Sequence, residues 1–253
     1  MSLTKFSFAS SVLGATATIN VVVPDGESGP HSVLYLHHGL GDTFETFSQA
    51  TDIEGHARGL NIMVVMPDAG DGWFCNDPRP GGLAWEDHLA VELVDVIDAK
   101  FPTIANRNAR GLAGFSMGGY GAMMLGLTHP GRFSAISTHA GSFAFGHALR
   151  PDRPERSEFM RAVAPPGGRY DLWQLAKNLT ADTLPVAIRF DVGTDDHLLR
   201  YNREFHAWLE ELGVPHKYDE VAGGHAWDYV NRQLPLTLDF MSKHLSRVRP
   251  DDP

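Results

Sequence analysis

The stretch Gly114-Phe115-Ser116-Met117-Gly118 constrains the fold of this chain more than any other. It carries the G-x-S-x-G pattern, which has a function only where a strand turns sharply into a helix. Upstream, Ala109 to Ala113 reads as the end of a buried strand, and downstream Tyr120-Gly121-Ala122-Met123-Met124-Leu125 reads as a helix with an apolar face. The glycines stand where side chains would collide with the neighbouring strand or helix, and the turn lifts the serine hydroxyl above the sheet edge. The helix that follows aims its N-terminal N–H groups at the same point and favours negative charge developing there. Ser116 is therefore the candidate nucleophile. A small-residue turn can also be a plain helix cap, so the assignment depends on an acid and a histidine further along the chain.

The 253 residues, 43% hydrophobic and 21% charged, suit a single domain (1–253) with one sizeable core. A net charge of -10 argues against a nucleic-acid groove or an anionic membrane surface, both of which need clustered Lys and Arg, and points to a small-molecule partner. Cys75 is the only cysteine, which excludes an intrachain disulfide and a cysteine zinc cluster and fits a reducing compartment. Residues 6–17 have the length of a secretory h-region, but Ser7, Ser10, Ser11 and Thr16 interrupt it, and the alternation continues into Ile19, Val21 and Val23. The expectation is a first hairpin in a cytoplasmic protein. No run approaches about 18 uninterrupted apolar residues, so no membrane-spanning helix is expected.

Along the chain, a Gly/Pro turn over 24–30 precedes the buried strand Ser32-Val33-Leu34-Tyr35-Leu36, which ends in His37-His38-Gly39-Leu40-Gly41-Asp42. Glycine directly after a central strand lets backbone approach a ligand. Gly39 is thus a candidate substrate contact, and the N–H of Leu40 is one half of an oxyanion hole whose other half is the N–H of Met117. His37 and His38 are adjacent on a strand, point to opposite faces and are not read as metal ligands; no metal and no cofactor is expected. A helix is expected over 44–58 and a buried strand over 61–66. The aromatic and acidic loop from Pro67 to Phe74 follows, where Trp73 and Phe74 are candidates to line an acyl or alcohol pocket. Cys75, with no base beside it, reads as a wall residue.

A helix over 85–100, the elbow, and a strand over 133–138 continue an alternation that implies a mostly parallel sheet covered by helices on both faces. Between about 142 and 184 the pattern weakens into a cap-like insertion. Its Arg/Pro-rich segment 150–156 either attracts an acidic group or is a solvated charge run, and a short helix over 171–177 returns the chain to the core. The strand 185–192 then runs into Gly193-Thr194-Asp195-Asp196-His197, where Asp195 and Asp196 both qualify as the acid that orients a histidine. After a helix over 198–212 and a strand over 216–221, His225 stands in a glycine-rich loop suited to a mobile general base. Trp227, which opens the last helix (227–245), is a further candidate substrate contact. The order is serine, acid, histidine.

On His38-Gly39-Leu40, Met66-Pro67-Asp68 with Asp71-Gly72-Trp73, Ser116 to Ala122, Gly193-Thr194-Asp195-Asp196 and Gly224-His225, nearly the whole chain resembles the esterase D-like branch of the α/β-hydrolases. Within that branch it is most similar to small bacterial carboxylesterases of the tributyrin-esterase type. The resemblance implies an α/β-hydrolase fold and a cofactor-independent serine carboxylesterase that hydrolyses short-chain acyl esters through an acyl-enzyme. It places the acid on Asp196 rather than Asp195 and the base on His225. Related feruloyl and acetylxylan esterases, S-formylglutathione hydrolases and mycolyltransferases supply the alternatives of a plant-wall ester, a thioester or acyl transfer. S-formylglutathione hydrolases commonly carry histidine after the paired glycines, where this chain has Tyr120, which puts thioesters second. Edge strands and loop aromatics of the family type permit a homodimer. A non-catalytic binding module is the reading from another class, and the intact triad and glycine loops oppose it.

Overall fold

The chain opens with strands β1 (Ser2–Ser10) and β2 (Ala15–Val23), which pair antiparallel along their full length, from Ser2 opposite Val23 to Ser10 opposite Ala15. In the computed structural model, which describes residues 1–25, 29–149, 151–179 and 185–246, this hairpin forms one edge of an eight-stranded sheet. Residues 26–28 of the expected Gly/Pro turn, Arg150 of the Arg/Pro-rich segment and 180–184 of the expected insertion lie outside the described residues, as do 247–253.

The other strands are β3 (Ser32–His37), β4 (Ile62–Met66), β5 (Arg110–Phe115), β6 (Ala135–His139), β7 (Ala187–Gly193) and β8 (Lys217–Val221), in the spatial order β1-β2-β4-β3-β5-β6-β7-β8. β2 meets β4 antiparallel, and every pairing from β4 across to β8 is parallel. Parallel strands joined by crossovers are covered on both faces, which is why β3 to β6 are buried at every position. Alternation along each strand divides the core in two. Val33, Tyr35 and Leu112 face one apolar cluster, while Leu34, Leu36 and Ala113 face the other.

The helix expected over 44–58 is two short ones, α1 (Thr46–Ala50) and α2 (Ile53–Ala57). Thr51 is extended between them, and the Asp52 carboxylate starts α2 afresh by accepting the Gly55 N–H. Over 85–100 the helix forms as expected but in three parts, α3 (Trp85–Asp87), a π-helical stretch (His88–Glu92) and α4 (Leu93–Lys100). α5 (Met117–Thr128) is buried from Met117 to Leu127.

Between β6 and β7 the chain carries α6 (Pro154–Val163) and α7 (Leu172–Lys177), and α8 (Leu199–Glu211) and α9 (Trp227–His244) complete the order. The segment holding α6 and α7 is tied to the sheet layer by the buried Glu86 of α3, which accepts hydrogen bonds from Arg169 at 2.7 Å and Tyr170 at 2.7 Å. Among the described residues no helix is long and apolar enough to cross a membrane.

Candidate active site

Ser116 joins β5 to α5 at φ 58°, ψ -114°, a left-handed conformation that costs an L-residue about 1–3 kcal/mol and persists only when its surroundings dictate it. Three backbone bonds do so: its N–H donates to the His139 carbonyl, and its own carbonyl accepts from Tyr120 and Ser142. A Cβ on Gly118 would overlap the His37 carbonyl oxygen, so only glycine lets the start of α5 pass this close to the end of β3.

The other two expected members of the triad come from the ends of β7 and β8. Asp196 is fixed in a turn in which its N–H donates to the Gly193 carbonyl and its Oδ1 accepts the Leu198 N–H at 2.8 Å. Its carboxylate is fully buried, and Oδ2 lies 2.8 Å from His225 Nδ1. His225 Nε2 in turn lies 2.9 Å from Ser116 Oγ. Because the carboxylate can only accept, Nδ1 carries the proton and the Nε2 lone pair faces the serine hydroxyl. Asp195, the other acid the residues left open, is exposed; its backbone N–H holds the Gly223 carbonyl in the histidine loop.

A buried polar network supports both halves of this arrangement. The side chain of His139, whose carbonyl holds Ser116, lies 2.9 Å from Asp191, which also receives Arg189 at 2.6 Å and the Tyr229 hydroxyl at 2.6 Å. Burial alone would raise the Asp191 carboxyl, but His139, Arg189 and Tyr229 outweigh it and hold the group below the ordinary carboxylate range. The Tyr229 ring lies directly against Gly223, whose φ of 142° suits glycine, so α9 props the loop that carries His225. From the side, the Phe115 ring packs 4.6 Å from the His225 ring.

Ser116 and His225 open into a cavity of about 570 Å³. Gly39, Leu40, Trp73 and Trp227 line it, where the sequence placed substrate contacts and one oxyanion donor. The turn around Leu40 is held on either side by Gly39 N–H to Asp42 and Gly41 N–H to Asp71, and it passes so close that a Cβ on Gly39 would lie 3.7 Å from Ser116 Cβ. Met117 is the first residue of α5, where a backbone N–H has no intrahelical acceptor.

Phe74 is a correction: it does not line the cavity. The turn through Trp73 (φ 55°) and Phe74 (φ 63°) sends the two rings different ways, and Phe74 packs fully buried against His37, 4.7 Å between ring centres, beneath Gly121. Cys75 is likewise buried behind the wall, 3.7 Å from the Tyr120 hydroxyl, and burial pushes its thiol well above the ordinary range. Among the described residues, His37 and His38 belong to no group of three potential metal ligands. His37 is buried and lowered to about 3 by desolvation, and His38 accepts the Ala69 N–H.

The sequence did not single out Phe145, Met160 and Tyr201, which also line the cavity. Phe145 stacks on Trp73 at 3.9 Å with 6° between planes, and Arg156, from the Arg/Pro-rich segment, sits 5.1 Å over the same ring. Phe145 and Met160 lie in the segment 142–184, whose weak periodicity did not say which residues turn inward, and Tyr201 lies on α8.

A family model described as "Putative esterase" matches residues 10–241. The chain is similar to the esterase Rv1288 of Mycobacterium tuberculosis, 32% identical over 280 residues, an alignment that covers 97% of this chain; the chain spans 59% of that relative's length. It is also similar to the acetyl esterase of Caldicellulosiruptor saccharolyticus, 24% identical over 96% of this chain and 99% of that one. In structure it is similar to FphF of Staphylococcus aureus, a fluorophosphonate-binding serine hydrolase, with a TM-score of 0.85 at 23% identity over 95% of this chain and 98% of that one. The architecture is the α/β-hydrolase fold.

Proposed function

This chain belongs to the esterase family, and from that premise we propose that it is a serine carboxylesterase hydrolysing short-chain acyl esters. The observation that carries the reading is the unbroken relay from the buried Asp196 through His225 to Ser116, at 2.8 and 2.9 Å, opening on a cavity. In this mechanism His225 Nε2 takes the Ser116 proton as Oγ attacks the ester carbonyl, and Asp196 stabilises the imidazolium. The N–H groups of Leu40 and Met117 receive the oxyanion, each such donor lowering the barrier by about 3 kcal/mol. His225 then returns the proton to the leaving alcohol, and a water activated by the same nitrogen releases the acid from the acyl-enzyme.

A short acyl group is supported by the acetyl esterase among the chain's relatives, and Trp73, Phe145 and Met160 give the cavity an apolar lining. The test is initial hydrolysis of p-nitrophenyl esters from acetyl to dodecanoyl by the wild type and by Ser116→Ala, with fluorophosphonate labelling of the intact protein. Rates highest for the shortest chains, a loss of roughly 10³-fold or more in the variant, and label on Ser116 are expected. Label on another residue, or equal rates in the two proteins, would sink the reading.

A further inference from the structure

His197 is a second imidazole at the triad that ester hydrolysis does not use. It follows Asp196 directly, its ring centre lies 4.6 Å from that of His225, and its Nδ1 lies 3.5 Å from Asp196 Oδ1. One donor atom from each of Asp196, His197 and His225 lies within 4.8 Å of the others, and among the described residues this is the single such trio able to hold a metal ion. We propose that Asp196, His197 and His225 form a chelating site for a borderline divalent cation, Zn²⁺ or Cu²⁺, and that occupation of this site switches the enzyme off.

Two imidazoles and a carboxylate are a common zinc donor set, with bonds of about 2.0–2.2 Å that place donors around a tetrahedral ion about 3.3 Å apart. Two pairs of the trio stand near that spacing, His225 Nδ1 to Asp196 Oδ2 at 2.8 Å and His197 Nδ1 to Asp196 Oδ1 at 3.5 Å, and a bound ion needs the three to readjust around it. The three members differ in exposure. The Asp196 carboxylate is fully buried and held by the Leu198 N–H, and the His225 side chain is 22% exposed and packed on Phe115, whereas the His197 side chain is 69% exposed. The ion therefore enters from solvent on the His197 side. The fourth position is left to water.

A cation bound to His225 occupies a nitrogen lone pair that the relay needs. Bound at Nε2 it blocks acceptance of the Ser116 proton; bound at Nδ1 it displaces the hydrogen bond to Asp196 and with it the tautomer that keeps Nε2 basic. Either way the serine is no longer activated. Mg²⁺ and Ca²⁺, which prefer oxygen donors and higher coordination, do not occupy the site, and Cu²⁺ binds more tightly than Zn²⁺.

The binding stands on the geometry alone, while the inhibition rests on the hydrolase reading, and the experiment separates the two. Zn²⁺ is titrated into wild type and His197→Gln by calorimetry. In parallel, p-nitrophenyl acetate hydrolysis and fluorophosphonate labelling of Ser116 are followed, each protein being compared with its own rate in EDTA. The expected result is Zn²⁺ binding weakened about tenfold or more in His197→Gln, a matching rise in the half-inhibiting concentration, recovery on adding EDTA, and no effect of Mg²⁺. Equal Zn²⁺ affinity in the two proteins, no Zn²⁺ binding by wild type, or labelling of Ser116 as fast in Zn²⁺ as in EDTA overturns the proposal. If neither protein hydrolyses or labels even in EDTA, the hydrolase reading fails, and the calorimetric comparison still decides whether the metal site exists.

Discussion

At Ser116 a backbone angle and a hydrogen bond are set by different parts of the chain: His139 and Ser142 hold the left-handed turn, and His225 approaches the hydroxyl from the far edge of the sheet. Asp196 has the most leverage over this geometry because its carboxylate sets the tautomer of His225. Asp196→Asn keeps the shape but can donate to Nδ1, which favours the tautomer with its proton on Nε2. A fall in kcat of roughly 10⁴-fold with KM little changed is expected in steady-state hydrolysis, and a loss below about tenfold would show that Asp196 does not orient the histidine.

Glu86 acts on stability instead. Burial alone would raise its carboxyl, but hydrogen bonds from His129, Arg169 and Tyr170 outweigh burial and hold it down at about 2, below its ordinary 4.5. A depressed carboxyl stabilises the folded chain in full above the unfolded value and loses that contribution as pH falls from about 4.5 through 2. Urea unfolding across this range should show stability dropping with acid, and Glu86→Gln should be less stable at neutral pH with a flatter acid limb. An unchanged slope in the variant would remove Glu86 from the account.

Among the elements, α9 connects folding to the site most directly, since its first turn carries Trp227 into the cavity wall and Tyr229 onto Asp191. Tyr229→Phe removes one 2.6 Å hydrogen bond to a buried carboxylate that keeps His139 and Arg189. It should cost about 1–3 kcal/mol in urea unfolding, and no measurable change would mean that the hydroxyl contributes nothing.

The elements were legible in the sequence where period and punctuation agree. The buried strands, the elbow and α9 all lie where alternation, glycines and apolar spacing put them. The break at Thr51-Asp52 was missed because apolar residues continue across it, and the π-helical stretch at His88–Glu92 because one wide turn hardly alters the apolar spacing of a 16-residue window over 85–100. At the site, chain order and glycine context pointed to Ser116 and His225 and left Asp195 and Asp196 both open, and the resemblance pointed to Asp196. The direction of Phe74 was not legible, because two consecutive positive φ angles overturn the alternation that sequence reasoning assumes.

Across the whole molecule, the sheet order brings β3, β5, β7 and β8 to one rim, and every residue of the relay stands just beyond the carboxyl end of its strand, where open α/β sheets bind their ligands. Ser116 and His225 are 109 residues apart in sequence yet hydrogen-bonded in space. That separation has a kinetic side. Loop closure over such a span is entropically costly and comes after local contacts form, so a chain refolding from urea regains far-UV ellipticity before it regains hydrolysis, and simultaneous recovery would show that the last strand and α9 dock with the rest. On the proposed mechanism Ser116 is silent in a half-folded chain and is activated only once the final segment has docked, which would make turnover a time-stamp for the completion of folding.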